Sequence, residues 1–330
     1  MRRWRSCVSA GRTRCRRPGR PGARSRARYR VGRWHVKHGL FFPPFGELSD
    51  PRRVAELAVK AEAAGWSGFF LWDHMLATPG LAVGDAWTAM AAVAAATSEI
   101  RFGAMVTPLS RRRPWVLARQ VAALDLLSGG RFVVGIGLGD DGWKEFSSFG
   151  EVTAPRERGL LLDESLEILR LLLSGQDVAY DGERLAVAAT PFLPRPVQDP
   201  VPVWVACRWP NRKPLARAAA QQGCFPIFAG SPDMPPAGDL STLRADLRRR
   251  GAGDGYDLVV RCQLRRLDPA HRPGAVAAAA DSGVTWLLEG FDPGVTAADF
   301  EAVVTAGPVP VRLAVPEKTR AGTVDSRVVA

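Results

Sequence analysis

Residues 97–139, "TSEIRFGAMVTPLSRRRPWVLARQVAALDLLSGGRFVVGIGLG", carry two apolar runs with a helical pattern between them. "IRFGAMV" reads as a buried strand. Pro114 suits a first helical turn, and Leu117, Val121 and Leu124 then fall on one helix face until Gly129-Gly130 stops it. "RFVVGIGL" reads as a second strand. A strand, a crossover helix and another strand make a parallel unit, and the fold turns on how often this unit recurs.

It recurs throughout. Upstream, "HGLFF" (38–42) is a strand closed by Pro43-Pro44. Asp50-Pro51 opens a helix with Val54, Leu57, Ala58 and Ala61 on one face, and Gly65 ends it. "GFFLW" (68–72) is the next strand, and 86–97 the next helix. Downstream, 140–155 is irregular and 156–173 is a leucine-rich helix. "DVAYDGERLAV" (177–187) is a small hairpin, and "PFLPRPVQDP" (191–200) a proline-rich loop. Alternation resumes with "VPVWVA", a helix at 212–222, "CFPIF", a helix near 240–250, "DLVVRCQL", a helix at 270–280, "VTWLLEG" and a helix at 297–305. Eight such units predict an α/β fold, a (β/α)8 TIM barrel at 36–314, with an insertion at about 140–195 on the catalytic rim.

The formal net charge of +12 invites a nucleic-acid or anionic-membrane reading. Thirteen arginines and no acid lie in residues 1–35, so the remainder is near neutral and no nucleic-acid or membrane partner is expected for the folded body. The leader lacks the apolar run of a secretory signal, and an upstream stretch joined by a misassigned start codon is the expectation for it. Residues 315–330 are expected to be a loose tail. Five scattered cysteines form no CxxC pair, which fits a cytoplasmic protein without zinc or a disulfide framework.

The ends of the strands hold the candidate chemistry, because barrels of this type react at the C-terminal ends of their strands. Asp73 and His74 follow the second strand. The imidazole can move a proton near neutral pH, and the adjacent carboxylate can orient it. Four histidines with no HxH or HExxH spacing argue against a metal site. "GIGLGDDG" contains a formal GxGxxG, yet no helix opens directly after it, so the dinucleotide-binding reading fails on context. Thr107 presents a hydroxyl before Pro108. The run Arg111-Arg112-Arg113 is expected on a solvated face. After the fifth strand, loop N–H groups and Arg208 suit a phosphate, and Trp209 a stacked ring or a plug. Glu289 ends the last strand, with a rim ion pair as its plainer role.

Taken together, "HGLFFPPFGE", "AEAAGWSGFFLWDHM", the 97–139 block and "PFLPRPVQDPVPVWVACRWPN" resemble the bacterial luciferase-like monooxygenase family over roughly 37–310. The resemblance implies an oxidoreductase using FMN or coenzyme F420, with hydride transfer at the ring to or from a small organic substrate. It implies His74 as proton donor or acceptor with Asp73 orienting it. Ala104, Met105 and Val106 match a bulge with a non-proline cis peptide, and Thr107 a contact to the ring. Gly137 and Gly139 match backbone contacts to the ring, and Cys207, Arg208 and Trp209 the phosphate tail. Trp143, Phe146 and Glu289 are assigned to the substrate pocket, and a homodimer is the implied assembly. The bulky Cys207-Arg208-Trp209, where many members carry small residues, leaves FMN against F420 open. A non-catalytic cofactor-binding barrel and a metal-dependent hydrolase are the alternatives.

Overall fold

The structure, a computed structural model, describes residues 36–189, 191–230 and 233–309. The leader 1–35 and the tail 315–330 lie outside these residues. The chain opens with β1 (Lys37–Phe42) and α1 (Pro51–Ala63). Asp50 caps α1 by accepting the Arg52 N–H, and Val54, Leu57, Ala58 and Ala61 are its buried face, as their spacing required. Next come β2 (Gly68–Leu71), α2 (Ala86–Ala96), β3 (Arg101–Ala104), β4 (Thr107–Pro108), α3 (Pro114–Ser128) and β5 (Val134–Gly137). α4 (Pro155–Leu173) leads into a hairpin of β6 (Val178–Asp181) and β7 (Ala186–Ala189). The remainder is β8 (Val203–Arg208), α5 (Arg212–Ala219), β9 (Gly223–Ile227), α6 (Ala237–Arg249), β10 (Asp257–Cys262), α7 (Arg272–Asp281), β11 (Trp286–Gly290) and α8 (Ala297–Ala306).

The large sheet is parallel throughout, in the order β3-β2-β1-β11-β10-β9-β8-β5-β4. Its two ends belong to one stave. β3 and β4 are halves of a single strand, interrupted at Met105–Val106, where the peptide is cis. The ring closes because Phe102 bridges Phe132 and Thr107 pairs with Ile136. The result is eight staves with helices outside them, the (β/α)8 barrel the sequence predicts. Closure demands that two backbones come very close. A Cβ on Gly103 would lie 2.2 Å from the Val133 carbonyl oxygen, and one on Gly135 would lie 2.0 Å from that of Ala104. Only glycine fits at either place.

Side chains alternate between two cores along each stave. Phe41, Phe70, Val133, Trp204, Phe225, Val259, Trp286 and Leu288 point inward and fill the barrel. Trp204 and Trp286 meet at 5.4 Å between ring centroids, and Phe70 reaches both. Leu40, Phe42, Phe69, Leu71, Val205 and Leu287 point outward against the helices. The barrel interior is therefore packed, and truncating one of its aromatic rings costs about 3–5 kcal/mol. A ligand must sit above this plug, at the C-terminal ends of the strands.

The 140–195 stretch contributes both cavity lining and a hairpin packed on its own helix α4. Asp140, Glu145, Pro155 and Arg158 line the cavity at the strand ends. The β6–β7 hairpin instead lies along α4, where Glu164 accepts the Leu185 N–H at 2.9 Å and Glu157 pairs with Arg184. Among the described residues no helix is long and apolar enough to cross a membrane.

Candidate active site

A cavity of about 770 Å³ opens at the C-terminal ends of the staves. Its floor is the top of the inner core: Phe41, Trp72, Met105, Val106, Ala206 and Phe225. Arg158, Arg208, Asn211 and Arg217 gather on the side of β8, α4 and α5. His74 stands on the wall formed by β2.

Successive residues of an extended chain point in opposite directions, and this separates Asp73 from His74. Trp72 and His74 face inward with their rings 5.6 Å apart. Asp73 turns away into a buried network. It accepts from Thr107 Oγ1 at 2.8 Å, from Trp87 Nε1 at 3.1 Å and from Arg112 Nη2 at 2.9 Å, with Arg111 Nη2 at 3.7 Å. The expected orientation of His74 by Asp73 is therefore corrected. The imidazole is held by Glu145, whose Oε2 lies 2.7 Å from Nδ1. Glu145 also accepts from the N–H groups of Met75 and Leu76 and from Arg111 Nη1. A carboxylate against Nδ1 makes that nitrogen the donor and leaves Nε2 as the lone-pair nitrogen of the neutral ring. Burial alone would raise the Glu145 carboxyl. The His74 hydrogen bond and charge, the Met75 N–H and Arg111 outweigh it and hold the group below its ordinary value.

The arginine run is corrected in part. The Arg111 side chain is 7% exposed and Arg112 is largely buried, both serving Asp73 or Glu145. Only Arg113 is exposed, stacked over Trp115. Two buried acids are thus balanced by two arginines, the condition under which buried charge is tolerated.

Of the residues singled out from the sequence, Asp73, His74, Met105, Val106, Gly137, Gly139 and Arg208 border the cavity. Arg208 is exposed there and bonded to Asp140 at 3.0 Å. The others lie elsewhere. Ala104 faces the outer core, and Thr107 is spent on Asp73. Cys207 alternates outward from Arg208, with its Sγ 3.2 Å from that of Cys224, and Trp209 packs on the outer core. Phe146 is buried beneath Arg158, whose guanidinium stands 4.4 Å from the ring centroid. Trp143 backs His74 at 4.8 Å without lining the cavity. Glu289 points outward like Leu287, towards Arg265, and burial raises its carboxyl. Sequence reasoning missed Glu145, Arg158 and the inward Trp72. Among the described residues no three His, Cys, Asp or Glu side chains converge to hold a metal ion.

This geometry defines a barrel enzyme with an imidazole beside an apolar floor and a cationic flank. The chain belongs to the luciferase-like monooxygenase family, which it matches over residues 29–264. It is accordingly an enzyme of the flavin- or F420-dependent oxidoreductase superfamily to which that family belongs. An uncharacterized protein of Mycobacterium tuberculosis is 31% identical over 214 residues, 63% of this chain and 69% of that protein. The F420-dependent glucose-6-phosphate dehydrogenase of Gordonia bronchialis is 33% identical over 192 residues, 56% of this chain and 54% of that enzyme. In fold, the monooxygenase RslO1 from Streptomyces bottropensis superposes with a TM-score of 0.67 at 19% identity, covering 82% of this chain and 96% of that one. An F420-dependent secondary alcohol dehydrogenase gives 0.65 at 16%, covering 84% and 99%.

The residues present fit such a cofactor. Arg158 is 5% exposed on the cavity wall, and its buried Nε and Nη1 have no hydrogen-bond partner. A buried cation left this way suits an anionic group such as the cofactor's phosphate.

Proposed function

We propose that this chain is a hydride-transfer oxidoreductase that uses F420 and interconverts an alcohol and a carbonyl compound. The observation that carries the reading is the imidazole on the cavity wall with Nδ1 locked to a buried carboxylate. When bound, the cofactor supplies the hydride acceptor or donor. Oxidation of an alcohol also releases the hydroxyl proton, and Nε2 of His74 takes it as the C=O bond forms. Glu145 holds the ring in the tautomer that makes this possible and stabilises the imidazolium that results. Met105, Val106, Gly137 and Gly139 would meet the ring of the cofactor. Arg158, with Arg208 and Asn211, would hold its phosphate. The F420-dependent activity named for the 33%-identical relative supports this cofactor over FMN. Two copies of the chain are proposed to pair, which sedimentation velocity would test.

The test is calorimetric titration of the full chain with oxidised F420 and with FMN, followed by turnover of His74→Phe. F420 should bind more tightly, and the variant should lose about 10²–10⁴ in kcat while still binding cofactor. Tighter FMN binding with oxygen-dependent product would turn the reading to a monooxygenase. Binding of neither would sink it.

A further inference from the structure

Around His74 the wall is aromatic. Its ring is 5.6 Å from Trp72, Trp72 is 5.5 Å from Phe41, and Phe41 is 5.4 Å from Phe225, so one continuous surface crosses the barrel mouth. Phe45 and Trp143 back the imidazole at 5.9 and 4.8 Å. Ile227 and Phe228 extend the lining beyond Phe225. The carboxylates on this side are already engaged, and the unpartnered ring N–H on this surface, Trp72 Nε1, is buried. Asp73 and Glu145 are bound into the arginine network. Asp292 takes Arg266 at 2.7 Å and Arg261 at 3.5 Å. Arg158, stacked on Phe146 with its Nε and Nη1 lacking hydrogen-bond partners, belongs to the other flank, where the cofactor's phosphate is placed.

Resting on the function proposed above, we infer that the substrate is an aryl-bearing alcohol or ketone and not a sugar phosphate. A sugar would place several hydroxyls against rings whose unpartnered donor, Trp72 Nε1, is buried, so most of those hydroxyls would lose their hydrogen bonds to water. An aryl group gains by burial against Phe41, Trp72 and Phe225, and leaves its carbinol oxygen for Nε2 of His74. In the reaction the carbinol C–H bond gives its hydrogen and electron pair to the oxidised deazaflavin. The O–H proton passes to Nε2, and the ketone leaves.

The experiment has two readouts on the full-length protein. Binding of acetophenone and of glucose 6-phosphate is measured by calorimetry, with and without oxidised F420. Turnover of 1-phenylethanol, propan-2-ol and glucose 6-phosphate is followed by loss of F420 absorbance. Acetophenone should bind, and kcat/KM for 1-phenylethanol should exceed that for the sugar phosphate at least about 100-fold. Phe225→Leu should raise KM for 1-phenylethanol about tenfold, and more than for propan-2-ol. Sugar-phosphate turnover at equal or better kcat/KM, or no acetophenone binding to protein that does bind F420, would overturn the inference and leave the cofactor assignment standing. If neither cofactor binds, it is the oxidoreductase reading that fails, and acetophenone binding to the free protein still decides whether the aromatic wall takes an aryl ligand.

Discussion

Asp73 and His74 are neighbours in sequence that serve different masters. His74 faces the cavity, and Asp73 anchors Thr107, Trp87 and Arg112 behind it. Asp73→Asn would leave Arg112 without its balancing carboxylate and the buried Arg111 with Glu145 alone. A loss of about 3–5 kcal/mol in unfolding free energy is expected, read from the urea midpoint. The pair was legible because a polar dipeptide after four bulky residues can only be a strand end. Glu145 was not. It lies 71 residues from His74 in an irregular stretch with no periodicity to mark a buried acid. The arginine run misled for a related reason: a row of like charges reads as solvated until two buried carboxylates are placed opposite it.

Among the elements, the stave formed by β3 and β4 is the one that differs from its sequence pattern. "IRFGAMV" is one apolar run, and apolarity carries no mark of the interruption at Met105–Val106. The glycines on either side of the seam are more telling. Gly135→Ala would drive a methyl group into the Ala104 carbonyl, so the variant should lose about 1–3 kcal/mol, seen as a lower melting temperature. The helices were legible from their caps and spacing, α1 above all. The direction taken by the β6–β7 hairpin was not, since a turn signal at Asp181-Gly182 says nothing about which neighbour the hairpin packs on.

For the molecule as a whole, eight alternating units sufficed to predict the closed barrel, because few architectures accept that many in one chain of this length. The cavity was legible only as a location. Its aromatic and cationic flanks come from side chains on different staves that only closure brings together. Stability should also depend on pH through His38 on β1, whose burial pushes its pKa down to about 4 from 6.5. The unfolded chain takes up that proton first, so stability is full above about pH 6.5 and falls as the pH drops towards 4, by up to about 3 kcal/mol. His38→Gln should flatten the slope in that window, as followed by denaturant titration at several pH values. Glu145 works in the same direction at lower pH, since its depressed carboxyl stabilises the fold above the carboxylate range and ceases to do so as it is protonated. The carboxylate that holds His74 also caps the amides of Met75 and Leu76. Deuterium enters those two positions only when the segment bearing Glu145 lets go of the strand tip. Their exchange is thus a clock for how often the site comes apart, and mass spectrometry of that one peptide should show it slowing as the cavity fills.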